Sequence, residues 1–235
     1  MKAAALQRIE EAKNLDELEQ VRVEIRLRLR SKYSTALLDS DATLLAARDD
    51  KGLGAYIAAK YSGRNDIAAL LLDKGVELDV FAACMAGAKE RVHELTGGNP
   101  ELINAYSHDG WTPLHLACFF GQPGIAEALI VQGADVRARA RNAMQNTPLH
   151  AAVAGRSKDA VRALLEHGAD VNARQEGGWT ALHAASQNGD VEMVRLLIAA
   201  GADVQARADN QQNALDLALT KAHPAVVEVL EAYAQ

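Results

Sequence analysis

The sequence predicts an all-α protein built from stacked two-helix modules, a solenoid in which each module packs only against its neighbours. Three segments are close copies of one another: residues 112–117 (TPLHLA), 147–152 (TPLHAA) and 180–185 (TALHAA). A Gly-Ala-Asp sequence follows 21 residues after the threonine each time, at residues 133–135, 168–170 and 201–203. Self-similarity at a period of about 33 residues indicates a row of equivalent modules rather than a globule around one pocket.

The first helix of a module is expected to begin at the repeated threonine. Thr112 offers a capping hydroxyl, and Pro113 tolerates the missing N–H of the first helical position. Leu114, Ala117 and Cys118 then share one face at spacings of three and four residues. The small side chains on that face predict close packing between first helices.

A glycine such as Gly121 or Gly189 should provide the turn into the second helix, and Gly201 should end that helix in a left-handed conformation.

Truncating Leu196 in the second helix is expected to cost about 2–5 kcal/mol as loss of a buried side chain. In residues 191–199 the positions predicted to face inward are Val191, Val194, Leu197 and Ile198. The Asp-Val-x-Ala-Arg run that follows extends as one arm of a finger leading to the next module.

These patterns, Thr-Pro-Leu-His-x-Ala and Leu-Leu-x-x-Gly-Ala-Asp-Val-x-Ala, resemble ankyrin repeats, closely over residues 109–207 and more weakly over 49–104 and 208–235. The resemblance implies an ankyrin-repeat solenoid of about five to six helix-turn-helix units with short β-hairpin fingers. The last unit, with Asp216 in place of histidine, is expected to be a capping repeat. The resemblance also implies that His115, His150 and His183 link each helix start to a finger.

Several departures from the repeat predict local differences. The frame places Arg156 where a turn glycine is expected, so that turn should be reshaped. The 35-residue spacing between Thr112 and Thr147 predicts two extra residues in the finger around 139–146. Residues 97–100 (GGNP) are expected to form a loop after a second helix near residues 91–95. A finger between residues 54 and 78 should be missing or vestigial.

The first 48 residues are predicted to form a helical cap, and residues 49–235 the repeat domain. Asn14 and Glu17 resemble a capping box. Residues 21–30 alternate apolar and charged side chains, a pattern typical of a strand, although as a helix they also give an apolar stripe. Both interpretations of this segment stay open, with helix favoured.

Composition and motifs argue against several function classes. A net charge of −6 disfavours binding of the whole molecule to phosphate backbones. We find no phosphate loop, nucleophile elbow or His-Glu-x-x-His motif, so no enzyme activity, cofactor or metal is expected. Cys84 and Cys118 fall at equivalent positions of adjacent repeats and are expected to be buried, reduced thiols. A cytoplasmic, membrane-free protein is the expectation.

The resemblance implies that a partner binds where finger tips and first-helix ends meet on the concave side. The helix-end positions are Tyr61, Met85, Phe119, Phe120, Ala154, Gln187 and Asn188, and the positions preceding each repeated threonine are Trp111, Asn146 and Trp179. Trp111, Phe119 and Phe120 should form an aromatic cluster of the kind that binding hot spots use. Alternatively, the two phenylalanines pack between repeats.

A second candidate feature is a ladder formed by Arg48, Arg139, Arg174 and Arg207, with Tyr106 in the intervening repeat. Such a stripe on an acidic protein could steer an acidic partner. Alternatively, these arginines pair with nearby acids such as Asp49 or Glu176. The sequence therefore favours a non-enzymatic module that binds another protein as a monomer. The alternative is a homo-oligomeric assembly protein that uses residues 1–48.

Overall fold

The structure, a computed structural model, describes residues 45–46 and 54–233. Its contacts divide the chain into two compact units, Met1–Glu77 and Leu78–Gln235. The cap predicted for residues 1–48 lies outside the described residues apart from Leu45 and Ala46, as do the alternating segment 21–30 and Arg48 of the ladder. These predictions therefore stay predictions.

Paired helices make up the described part of both units. The first unit contains α1 (Ala55–Tyr61) and α2 (Asn65–Asp73). The second contains α3 (Val80–Ala86), α4 (Lys89–Gly98), α5 (Pro113–Phe119), α6 (Pro123–Val131), α7 (Pro148–Ala154), α8 (Lys158–Glu166), α9 (Ala181–Gln187), α10 (Val191–Ala199), α11 (Ala214–Thr220) and α12 (Pro224–Tyr233). Short 3-10 helices lie at Pro100–Asn104 and Glu176–Gly178. The predicted all-α class is confirmed.

The second unit is a row of helix pairs in which each first helix packs against the next. Contacts join α3 to α5, α5 to α7, α7 to α9 and α9 to α11, while α6 packs on α8 and α10 on α12. Leu114, Leu149 and Leu182 occupy the same position in three repeats and are essentially fully buried. Burying such a side chain stabilises the fold by roughly 1.5–3 kcal/mol. Each added repeat therefore contributes a similar stabilisation from this position.

The three first helices that follow the repeated threonines begin as predicted. The backbone N–H of His115 points to the hydroxyl of Thr112, and the same capping box recurs at Thr147 and Thr180. Asn213 and Asp216 form the equivalent box in the last repeat, so the carboxylate replaces the histidine ring there. One local arrangement thus fixes the start of four helices.

The turn between α7 and α8 is not reshaped, contrary to the prediction. Arg156 has φ of 55°, in the left-handed region, as do Gly121 at 67° and Gly189 at 68°. The bond from Ser157 N–H to the Ala152 carbonyl matches those that close the other turns. The helical hydrogen bonds therefore set the backbone at this position, and the arginine adopts it at a cost of about 1–2 kcal/mol.

Three further predictions about the helices need correction. Gly97 and Gly98 belong to α4 rather than to a loop. Met85 is buried, although a first-helix end was expected to be exposed. Leu196 is only half-buried, because Met193 and Leu197 are the residues of α10 that face the protein core. Each error is a difference in helix length or phase, which periodicity alone does not determine.

The fingers are narrow hairpins whose arms are too short for strands to appear among the described residues. A backbone hydrogen bond between the two arms closes each one, from the Ser107 N–H to the Trp111 carbonyl, from Gln175 to Trp179, and from Ala208 to Gln212. In the finger before α7 the closing bond runs from the Ala140 N–H to the Asn146 carbonyl, which confirms the two extra residues. Only residues 74–79 connect α2 to α3, so the finger predicted to be missing or vestigial at this point is not formed.

Candidate functional site

The repeated histidines are structural links between neighbouring repeats. His115 Nδ1 lies 2.8 Å from the Thr112 hydroxyl, and its Nε2 lies 3.0 Å from the Asn146 carbonyl oxygen. Because a carbonyl can only accept, Nε2 carries the proton and Nδ1 accepts. His150 bonds the Trp179 carbonyl and His183 that of Gln212 in the same way. The predicted role of these three residues is confirmed.

Burial gives these imidazoles an unusual titration. Loss of solvation, slightly offset by the hydrogen bond to the carbonyl, lowers the pKa of His115 and of His150 to about 4. Burial also lowers the pKa of His183. Protonation would place a second N–H against the Thr donor at Nδ1. The rings are therefore neutral at physiological pH, and their geometry offers no open position for a substrate or metal.

Cys84 and Cys118 are both buried and free. Burial raises the pKa of each thiol, so neither is a ready nucleophile. The bonds from Ala88 to Ala83 and from Gln122 to Ala117 occupy matching turns, which places the two cysteines at equivalent helix positions. The predicted pair of reduced core thiols is confirmed.

The aromatic cluster of Trp111, Phe119 and Phe120 forms as predicted. The Trp111 and Phe119 ring centres lie 5.2 Å apart at an interplanar angle of 79°, and those of Phe119 and Phe120 lie 5.2 Å apart at 80°. Trp111 also rests 5.8 Å from the ring of His115. All three aromatic side chains are half-buried. Edge-to-face packing holds the rings rigid while part of each remains accessible to a partner.

Other predicted site residues differ in their accessibility. Asn146, one of the predicted binding residues, is only 3% exposed, so little of its side chain is accessible to a partner. Its side-chain Oδ1 has no hydrogen-bond partner among the described residues, and its backbone carbonyl is the acceptor for His115. Trp179 and Gln187 are half-buried, and the Gln187 carbonyl accepts from His223 Nε2 at 3.0 Å. Trp179 packs 5.8 Å from His183 without neighbouring phenylalanines.

The described part of the arginine ladder connects successive fingers through backbone carbonyls. The Tyr106 hydroxyl donates to the Arg139 carbonyl at 3.2 Å, Arg139 to that of Arg174 at 2.9 Å, and Arg174 to that of Arg207 at 2.9 Å. The last rung, Arg207, bonds the Gln211 carbonyl and lies 3.6 Å from Asp216. The ladder therefore aligns the fingers, a role that neither sequence interpretation anticipated.

A second ladder runs two residues ahead of the first and was missed in the sequence. Asn104 donates to the Gly133 carbonyl at 3.1 Å, Arg137 to that of Gly168 at 2.9 Å, and Asn172 to that of Gly201 at 3.1 Å. The residues of this ladder occupy the variable x of the Asp-Val-x-Ala run. The recurrence there of a long or amide side chain could have indicated the ladder in the sequence. Both ladders contribute donors to the same strip of surface.

A groove of about 410 Å³ lies between the fingers of residues 136–139 and 170–174. We call it the finger groove. Its lining includes Arg137, Arg139, Arg174, Asp170, Asn172 and Thr147. Three arginines and one aspartate thus line a volume within the range of ligand pockets, about 300–1,000 Å³.

A family model described as ankyrin repeats (3 copies) matches residues 80–175 and 173–234. The matched ranges include α3 to α12, the three histidine links, the described parts of both ladders and the finger groove. Among the described residues, no helix has the length and apolar character that crossing a membrane requires.

Proposed function

Because this chain belongs to the ankyrin repeat family, whose members generally mediate protein–protein interactions, we propose that it is a non-enzymatic module that binds a partner protein. The proposed binding surface comprises the aromatic cluster of Trp111, Phe119 and Phe120 together with the adjoining fingers. On this proposal the protein acts by occupying a surface of its partner. It either scaffolds that partner or blocks the partner's own site.

One observation carries the proposal. The cluster concentrates three of the chain's ten aromatic side chains in one repeat, and all three remain partly accessible. Binding energy in interfaces concentrates in a few aromatic and arginine side chains. Rings already held by edge-to-face contacts lose little conformational freedom when a partner covers them, which favours affinity. Equivalent helix ends carry Ala154 in α7 and Gln187 in α9, so the cluster distinguishes this repeat from the next two.

The remaining chemistry also fits a binding role. The three repeated histidines are neutral and engaged on both ring nitrogens, and the two thiols are buried. Free cysteines fit a reducing compartment, which supports our proposal of a cytoplasmic location. We propose a monomeric module whose partner is another protein chain rather than a nucleic acid.

The test is affinity capture from an extract of the native cell, followed by mass spectrometry. The full chain and the double variant W111A/F119A serve as parallel baits. We expect the double variant to lose a partner that the unmodified chain retains, because its anchoring rings are gone. Because both side chains are half-buried, the double variant should lose some stability but remain folded, which a thermal melt checks.

The matched control is Tyr233→Ala, which removes an exposed aromatic side chain of α12 that lies outside the proposed binding surface. This variant should retain the partner. If W111A/F119A is folded and retrieves the same proteins in the same amounts, the binding surface is not where we place it.

A further inference from the structure

The finger groove combines positive charge with fixed geometry. Three arginines, Arg137, Arg139 and Arg174, line it, and the carboxylate beside them is Asp170. The groove therefore carries a formal net charge of about +2 by counting these four groups, on a chain whose total is −6. Locally reversed charge on an acidic protein is a feature that a specific partner can recognise.

Each guanidinium is oriented by one bond and keeps most of its donors. Arg137 uses Nε for the Gly168 carbonyl, Arg139 uses Nη2 for that of Arg174, and Arg174 uses Nη1 for that of Arg207. Since a guanidinium has five N–H groups, four remain on each side chain. None of the ion pairs found among the described residues involves these three arginines.

Asp170 does not neutralise the groove. Its Oδ1 accepts from the backbone N–H of Asn172 at 2.9 Å, which closes the turn at the base of the finger. The arginine side chains are exposed, yet their carbonyl bonds hold them in place. Such preorganisation lowers the entropy lost when an anion binds, and the guanidinium fork matches a carboxylate.

We propose that the finger groove binds the carboxylate side chains of a short acidic peptide segment in the partner protein. The inference rests on the proposed function and specifies the chemistry of its partner. A groove of about 410 Å³ accommodates a few residues rather than a folded surface. An acidic peptide is favoured over a nucleic acid, because three clustered cations cannot follow a phosphate backbone and the rest of the chain repels one.

The test measures binding of fluorescein-labelled hexaglutamate to the full chain by fluorescence anisotropy, with hexaglutamine as the uncharged probe. We expect hexaglutamate to bind and hexaglutamine not to bind. Raising the salt concentration should weaken the interaction, because the attraction between charges is screened. The double variant R139Q/R174Q should lose affinity by about tenfold or more, as two charge-assisted contacts disappear.

Two matched variants separate charge from finger alignment. Arg195→Gln removes an exposed positive charge of α10 outside the groove. Asn104→Ala removes a side chain that bonds the next finger without changing charge. Both should bind hexaglutamate as the unmodified chain does. If R139Q/R174Q fails to fold, R139K/R174K replaces it, and it should retain more affinity than the single variant R139Q.

The inference is wrong if hexaglutamate does not bind, if hexaglutamine binds equally well, or if folded R139Q/R174Q binds as tightly as the unmodified chain. Tighter binding of an oligothymidylate that the same variant abolishes would also overturn it in favour of a nucleic acid. W111A/F119A should still bind hexaglutamate, since its groove is intact. Failure of this inference is therefore distinguishable from failure of the proposed partner surface.

Discussion

His115 Nε2 lies 3.0 Å from the carbonyl oxygen of Asn146, 31 residues further along the chain. The same ring accepts from Thr112 at the start of its own helix. One neutral imidazole therefore joins the first turn of α5 to the finger that precedes α7. Since the arrangement recurs at His150 and His183, protonation of these rings acts on the whole row of repeats.

We predict that acid destabilises the protein between about pH 6.5 and pH 4. The folded pKa of His115 and His150 is about 4, whereas an unfolded histidine titrates near 6.5. The unfolded chain therefore binds more protons in this window, so stability is complete above it and falls as the pH decreases. The loss is on the order of 3 kcal/mol per histidine. Denaturant unfolding at a series of pH values measures it.

The variant His115→Gln should show a shallower dependence of the unfolding free energy on pH, whatever its stability at neutral pH. His93 lies exposed on α4, so His93→Gln serves as the matched single-histidine control. A steep acid transition that persists in His115→Gln and in His150→Gln would assign the effect to other groups.

Opposite effects are expected for two adjacent residues in the turn after α7. A Cβ added at Gly155 would clash with the Phe119 carbonyl oxygen, so Gly155→Ala should destabilise by roughly 1–3 kcal/mol. Arg156→Gly should stabilise by about 0.5–1 kcal/mol. The energy needed to hold an arginine at a left-handed φ of 55° exceeds the entropy cost of placing a glycine there. Equilibrium urea unfolding compares both variants. Destabilisation by Arg156→Gly would show that the arginine side chain contributes more than its backbone costs.

The phase of α10 can be checked with two neighbouring leucines. Leu197 is completely buried, so Leu197→Ala should cost about 2–5 kcal/mol. Leu196 is half-buried, and Leu196→Ala should cost clearly less because fewer atoms leave the core. Unfolding free energies of the two variants give the comparison. Equal losses, or a larger loss at Leu196, would contradict the helix phase.

Features encoded by short local patterns were predictable from the sequence. Thr112 and His115 specify a cap and a link within four residues, and the spacing between Thr112 and Thr147 gave the two extra residues of the finger. The turn at Arg156 was not predictable in this way, because helical hydrogen bonds on both sides impose the left-handed conformation on whichever residue is present.

The site was less predictable than the fold. The aromatic cluster followed from the positions of Trp111 and Phe119 in the repeat, but the burial of Asn146 did not, since its backbone is held by a histidine of another repeat. The arginine ladder was located correctly but seen only as charge. Its bonds to carbonyls depend on the offset between fingers, and that offset is a property of stacking rather than of any one segment.

The central claim is that this chain holds a partner protein through Trp111 and Phe119. It is tested most directly by isothermal titration of the captured partner against the unmodified chain and W111A/F119A, with melting curves recorded for both. We expect affinity to fall by about 100-fold, as for loss of two aromatic anchors, while the melting curves show that both proteins are folded. Equal affinities for the two folded proteins would contradict the claim.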